Sequence, residues 1–304
     1  MKRSSNITIG ITCYREGEWL RECWESVLAQ TDERWEAIMV IDGDADKQTL
    51  EIFNAINHSK LQKYSMKKNV GLYLCRTIAI LNTETDWYIP LDADDLLPEN
   101  AIALILDAIQ KNSKAQFVYG DVVHFSKERR EIREGNPENA EALLYGPNVV
   151  GTTPFRRSIF FKLGGYSPEF LSDAADWDLW LTVYEQHITG VRADGITYLR
   201  RVRANSMGST WFLNRDQVVK KMIEKHPDFF IIKDRSSQSL GKAYELIARA
   251  YRTQGKRKLA AEYARLAEGQ GVSTATMKAI REEEKMGLTR YFFRRFGRLI
   301  SKPK

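Results

Sequence analysis

Residues 87–95 read Trp-Tyr-Ile-Pro-Leu-Asp-Ala-Asp-Asp, an apolar run of strand length that stops in three carboxylates, Asp92, Asp94 and Asp95. Side chains alternate along an extended strand, so Asp92 and Asp94 leave its end on the same side. Two like charges that close repel each other unless a cation lies between them. Hard, oxygen-ligated Mg²⁺ or Mn²⁺, able to hold a substrate's phosphates as well, is the natural cation. A plainer reading also stands: an acidic turn ahead of a helix opening at Pro98-Glu99-Asn100, with Asp95 as its cap.

The chain around this run alternates strands with helices. Strands are predicted at Asn6–Thr12, Trp35–Ile41, around Tyr64, at Trp87–Leu91 and at Phe117–Phe125. Amphipathic helices are predicted over Glu18–Gln30, Lys47–Asn57, from Gly71 onward and over Pro98–Lys111. Such alternation implies an α/β fold, a mainly parallel sheet with helices on its faces. Ligands of such sheets bind beyond the carboxyl ends of the strands. Thr12, Asp42 and Asp92 all fall at predicted strand ends, so three separate pieces of chain converge on one edge.

The 304 residues exceed the usual single-domain length, which predicts one large domain with a smaller appendage. No apolar run is long enough to span a bilayer, and Met1–Asn6 leads into a strand rather than a signal-peptide segment. Three scattered cysteines, Cys13, Cys23 and Cys75, form no disulfide or zinc spacing and point to a reducing cytoplasm. Of the net charge of +6, the whole excess lies in residues 288–304, which hold six basic groups and no acid. The rest balances 40 basic against 40 acidic residues, so no nucleic-acid partner is indicated.

Six segments, in order, resemble the family 2 glycosyltransferases over about Ile7–Ser209. They are Thr12-Cys13-Tyr14-Arg15; Gln30-Thr31; Val40-Ile41-Asp42-Gly43-Asp44; Asn69-Val70-Gly71 with Arg76; Leu91-Asp92-Ala93-Asp94-Asp95; and Gly164-Gly165-Tyr166 with Asp176-Trp177-Asp178-Leu179-Trp180-Leu181. The chain departs from the family pattern at Arg15, Ile41, Ala175 and Arg203, where Asn, Asp, Glu and His are usual. The resemblance implies a GT-A fold with a Rossmann-like sheet over residues 1–215 and an inverting, metal-dependent enzyme that uses nucleotide sugars. It sets the enzyme in cell-surface polysaccharide or glycolipid assembly, with a glycan or lipid-linked hydroxyl as acceptor. It also implies that Thr12, Cys13, Tyr14, Asp42, Asn69, Gly71, Arg76, Asp92, Ala93 and Arg203 hold the donor. By the same resemblance, Asp92 and Asp94 are expected to hold Mg²⁺ or Mn²⁺, and Asp176 is expected to be the base.

The residue chemistry agrees with those roles and leaves alternatives beside them. A carboxylate at Asp42 can accept the ring N–H of a uracil or guanine, and Asp42-Gly43 can equally be a turn. Arg76 can bind phosphates or a site carboxylate through charge-assisted hydrogen bonds, or lie on a helix surface. On a helix, Asp176 and Asp178 point about 200° apart, so only one can face a given site. Arg203 and the nearby Ser206 and Ser209 read as a phosphate-steadying lid or as a basic surface loop. A non-catalytic nucleotide-sugar binder and a nucleotidyltransferase are the rival functions; the latter lacks its glycine-rich loop after the first strand.

Beyond the first domain, residues 216–287 carry apolar positions at helical spacing about Gly255, like one tetratricopeptide-type hairpin, and Arg281–Lys285 reads as a solvated helix face. In residues 288–304, Arg290, Arg294 and Arg298 share one helical stripe, with Phe292, Phe293, Phe296, Leu299 and Ile300 on another. That pattern suits the surface of an anionic bilayer, placing the enzyme peripherally on the inner face of the plasma membrane; a helix packed on its own domain is the alternative. At about 1 kcal/mol per basic residue, six such groups suffice to hold a protein there. Deleting residues 288–304 is expected to abolish co-sedimentation with anionic liposomes, and unchanged binding would rule out the tail as the anchor.

Overall fold

The computed structural model describes residues 6–135, 152–172, 174–203, 207–231 and 236–286. They fall into two compact units that divide at 206/207. The boundary expected at 215 lies inside a single helix, Met207–Lys225. Residues 288–304 and Ser206 are outside the described residues, as is the side chain of Ser209.

The first unit is built on β1 (Ile7–Cys13), α1 (Glu18–Leu28), β2 (Trp35–Ile41), α2 (Lys47–Ala55), β3 (Leu61–Ser65), α3 (Leu72–Leu81), β4 (Trp87–Asp92) and α4 (Ala101–Lys111). It continues through β5 (Phe117–Phe125), β6 (Arg130–Arg133), β7 (Phe155–Arg156), α5 (Arg157–Lys162), α6 (Ala175–Glu185) and β8 (Gly190–Arg201). Among the described residues the strands form one eight-stranded sheet, ordered β3-β2-β1-β4-β7-β5-β6, with β8 beside β5. The first four strands run parallel, as the alternation predicts. β1 is buried along its whole length, as a central strand covered on both faces must be.

Alternation along β1 decides what meets what. Ile7, Ile9, Ile11 and Cys13 join α1, α2 and α4 in the main hydrophobic core. Thr8, Gly10 and Thr12 therefore face the other way. Thr12 pairs in register with Asp92, and Arg76 of α3 reaches that same carboxylate. The edge formed by the ends of β1, β2 and β4 is thus fitted to α3 and to the loop that leads into it. Glycine is required at position 43, where a Cβ would lie 2.1 Å from the backbone carbon of Lys68.

Two expectations need correction. Asp95 does not cap the following helix, whose N-cap is Asn100 with no side-chain bond. Instead Asp95 is buried, accepting from the Tyr198 hydroxyl at 2.7 Å and from the Arg201 amide at 2.6 Å. A carboxylate that deep satisfies its oxygens with fixed partners from β8, and none is left for a helix end.

The second unit is helical: α7 (Met207–Lys225), α8 (Pro227–Ile231), α9 (Ser236–Thr253), α10 (Arg257–Gly269) and α11 (Ala275–Lys285). α9 and α10 form the hairpin about Gly255, where φ is +76°. Ala243, Ile247, Ala260, Ala264, Met277 and Ile280 are buried, so the hairpin covers its apolar face with the helices beside it. The run Arg281–Lys285 is the second correction. Glu283 is buried and pairs with Arg252 at 2.6 Å, while Glu284 pairs with Arg265 and Arg281 with Glu268. Charges spaced along α11 are read as solvent-facing only when no partner helix offers arginines, and here α9 and α10 do.

Candidate active site

The carboxylates at the end of β4 are matched by guanidinium groups. Arg76 is only 2% exposed, and its Nη2 donates to Asp92 Oδ1 at 2.6 Å. The surface-arginine alternative is thereby excluded. Thr12 Oγ1 approaches the same carboxylate oxygen at 3.5 Å. Asp94 pairs with Arg203 Nη2 at 2.6 Å. Arg201 donates through Nε to the Asp94 carbonyl at 2.8 Å and pairs with Glu22. Arg203 lies over the Trp19 ring, its Cζ 4.9 Å from the centroid. Arg203 is therefore held by an ion pair and an aromatic ring rather than lying free on the surface.

Burial and mutual repulsion govern this cluster. Burial, then the charge of Asp92, raises the Asp94 carboxyl above the ordinary aspartate range. Asp95 is pushed up to about 8 by burial and by Asp94 and Asp92. Glu16, just past the predicted Thr12–Arg15 segment, is pushed up to about 7, first by burial and then by Asp94, with Arg203 opposing. Its carboxylate accepts the Tyr14 amide at 2.5 Å. Sequence reading missed Glu16. The signal available was its spacing, two residues beyond Tyr14, which lets a side chain turn back onto the backbone.

The other predicted donor residues border this cluster. Asp42 is 5% exposed, and its Oδ1 accepts the amides of Gly43 and Val70 at 2.8 and 2.7 Å. Its Oδ2 accepts the Gly71 amide at 2.8 Å. The carboxylate therefore fastens the Asn69-Val70-Gly71 loop to the end of β2. Asn69 is exposed, its amide turned to Asp44 at 3.4 Å. Cys13 is buried, with its thiol on the Val40 carbonyl, and Ala93 is buried with its amide on the Thr12 carbonyl. Tyr14 is half-buried beneath the Arg15 guanidinium, 4.6 Å from its ring centroid.

Asp176 comes from far along the chain and arrives beside Arg76. It opens α6, and its Oδ1 accepts the Tyr73 hydroxyl at 2.7 Å and the Trp177 amide at 2.9 Å. Tyr73 sits one helical turn before Arg76 on α3, within 5.0 Å of the Tyr166 ring. Tyr166 follows Gly164 and Gly165, whose φ values of +86° and +75° only glycine adopts readily. Asp178 is buried, so of the two candidates Asp176 is the one at the cluster. Tyr73 was missed; its i,i+3 spacing from Arg76 was the available signal.

The residues fit a hard cation only as part of a larger donor set. Among the described residues no group of three or more His, Cys, Asp or Glu side chains is arranged to hold a metal. Asp92 and Asp94 supply hard carboxylate oxygens, which suits an ion that takes one or two protein ligands and completes its shell with phosphates and water. Three guanidinium nitrogens at this cluster, Nε and Nη1 of Arg76 and Nε of Arg203, are buried without a hydrogen-bond partner.

The family model for glycosyl transferase family 2 matches residues 8–168, just over half of the chain. The chain belongs to that family. A Rickettsia bellii protein named only as an uncharacterized glycosyltransferase is 23% identical over 219 residues, covering 65% of this chain and 30% of its own length. Chondroitin synthase from Escherichia coli is 26% identical over 189 residues, 61% of this chain and 27% of that protein. The chain thus spans under a third of the length of the first curated relatives it matches. Among solved structures, Staphylococcus aureus TarS 1-349 in complex with UDP-GlcNAc superimposes with a TM-score of 0.64 at 15% identity, over 86% of this chain and 81% of TarS. The mannosyltransferase PcManGT from Pyrobaculum calidifontis, in complex with GDP-Man and Mn²⁺, gives 0.57 at 16% identity, over 91% and 78%. These likenesses show the GT-A fold.

The Glu16 carboxyl makes a testable mark on stability. With its folded value near 7, against 4.5 in the ordinary case, the native chain binds more protons than the unfolded one between those values. Stability therefore falls as pH rises from about 4.5 to about 7. Glu16→Gln is expected to flatten that part of a melting-temperature-versus-pH curve; identical slopes would contradict a Glu16 carboxyl raised by burial.

Proposed function

We propose that this protein is an inverting glycosyltransferase that moves a sugar from a nucleotide-sugar donor to a hydroxyl acceptor, in cell-surface polysaccharide or glycolipid assembly. The reading is carried by the three buried, unpartnered guanidinium nitrogens of Arg76 and Arg203 beside Asp92 and Asp94. Buried N–H donors are nearly always matched, and a diphosphate supplies acceptors with the charge to match them. The donor's base lies over the ends of β1 and β2, bordered by Thr12, Cys13, Tyr14, Asp42 and the Asn69–Gly71 loop. Its diphosphate lies over Ala93 toward Arg76 and Arg203.

Asp176 is the base. Tyr73 fixes one of its oxygens, leaving the other to accept the proton of an acceptor hydroxyl. As the acceptor's hydroxyl oxygen gives its proton to Asp176 and bonds to the anomeric carbon on one face, the bond to the diphosphate breaks on the opposite face. The departing negative charge develops against the unpartnered N–H groups of Arg76 and Arg203. Asp94 and Asp92 would hold Mg²⁺ or Mn²⁺, which when bound supplies Lewis-acid neutralisation of the leaving diphosphate. The basic residues 288–304 would keep the enzyme on the cytoplasmic face of an anionic membrane.

Ala175, where the family has Glu, favours a second reading as a nucleotide-sugar binder without turnover. One experiment separates the two. With Mn²⁺, one of the UDP-, GDP-, dTDP- and CMP-sugars at ~100 times its Kd should add about 2.7 kcal/mol of stability. With that donor, Asp176→Asn is expected to lower kcat by about 10²–10⁴ while leaving donor affinity near the wild-type value, and Asp94→Ala to abolish turnover. Donor stabilisation without measurable transfer or hydrolysis in the wild-type protein would establish the binder instead.

A further inference from the structure

We infer that Arg203 is a built-in counter-cation for Asp94: it holds the metal's place in the empty enzyme and must be exchanged off the carboxylate when a divalent ion binds. The inference rests on the metal-dependent reading above and goes beyond it to the order in which the site fills.

Arg203 Nη2 lies 2.6 Å from Asp94 Oδ2, so the guanidinium and a divalent ion would compete for the same oxygen. The competitor is held in place from below, because Arg203 stacks on Trp19 and Trp19 also carries Arg201 at 5.5 Å. Arg201 is itself tied to Glu22, donates through Nε to the Asp94 carbonyl and through its backbone amide to the Asp95 carboxylate, so the pair sits on a fixed platform. A cation there offsets the crowding of acids at this edge: Asp92 and Asp95 flank Asp94 in the chain, and the Arg203 guanidinium is the group the structure sets against the Asp94 carboxylate. The partnering of Arg203 is nevertheless incomplete, since its Nε is buried with no acceptor. A diphosphate would give the displaced guanidinium a better partner than Asp94 does.

Two consequences follow. The ion alone binds weakly, because it must evict Arg203 with nothing to receive it. The ion and a nucleoside diphosphate bind cooperatively, because the diphosphate receives the guanidinium as the ion takes the carboxylate, and that coupling is reciprocal.

The test is Mn²⁺ affinity, measured by electron paramagnetic resonance on the full chain, alone and with UDP or GDP, for wild type and Arg203→Gln. In wild type the diphosphate is expected to tighten Mn²⁺ by tenfold or more. In Arg203→Gln, Mn²⁺ alone should bind several-fold tighter and the coupling should shrink toward one. Loss of a nearby positive charge could itself tighten Mn²⁺, so tryptophan fluorescence supplies a readout of movement. Mn²⁺ with the diphosphate should change it in wild type, and not in Trp19→Phe or Arg203→Gln. Undiminished coupling in Arg203→Gln, or a Trp19 signal indifferent to Mn²⁺, would overturn the exchange while leaving the metal site standing. Absence of Mn²⁺ binding in both proteins, with and without diphosphate, would overturn the metal-dependent reading and the exchange together.

Discussion

The ion pair between Arg76 and Asp92 is the contact on which the site is assembled. A guanidinium buried on α3 is tolerated only beside an opposing charge, because removing one member of such a pair leaves the other desolvated and unmatched. That requirement ties the helix to the end of β4 and, through Tyr73, brings Asp176 to the same place. Residues 73, 76, 92 and 176 are thereby joined, although the last lies about a hundred positions along the chain from the first. Nothing in their packing alone needs a charged network there. Replacing such a network with apolar side chains is often neutral or stabilising, so its presence, with N–H groups left over, points to a ligand.

Around that pair, the glycines and amide-binding carboxylates act as fasteners. Asp42 spends its oxygens on the 69–71 loop, and Gly43 lets that loop's predecessor Lys68 press against the turn. The positive φ of Gly164 and Gly165 turns the chain so that Tyr166 meets Tyr73. Besides any contact with a ligand, such groups set where Arg76 and the strand ends stand relative to one another. A site made at strand ends needs this kind of tethering, since loops are otherwise the least constrained part of an α/β sheet.

Much of this was legible in the sequence, for physical reasons that differ by residue. The Phe117–Phe125 strand and the Trp35–Ile41 strand were readable because long apolar β-branched and aromatic runs have few other homes. Asp92 was readable as the end of the β4 run, whereas Asp94 lies past the strand in a turn closed by the Asp95 amide on the Asp92 carbonyl, where strand alternation no longer applies. Asp95 was misplaced because a local rule, the helix cap, competes with long-range pairing to Tyr198 and the Arg201 amide, about a hundred residues away. Glu283 was misread for the same reason: its arginine comes from another helix. Glu16 and Tyr73 carry no motif, and only the folded sheet edge shows what surrounds them. The part of the site that escapes sequence reading is thus the part created by distant partners.

The central claim is that the buried Arg76 guanidinium is built to receive a diphosphate. A crystal structure of the protein grown with Mn²⁺ and its nucleoside diphosphate, UDP or GDP, tests it most directly. The account predicts phosphate oxygens within hydrogen-bonding distance of Arg76 Nε or Nη1, with the metal on the Asp92–Asp94 side. A diphosphate bound elsewhere, with those nitrogens still without acceptors, would contradict it.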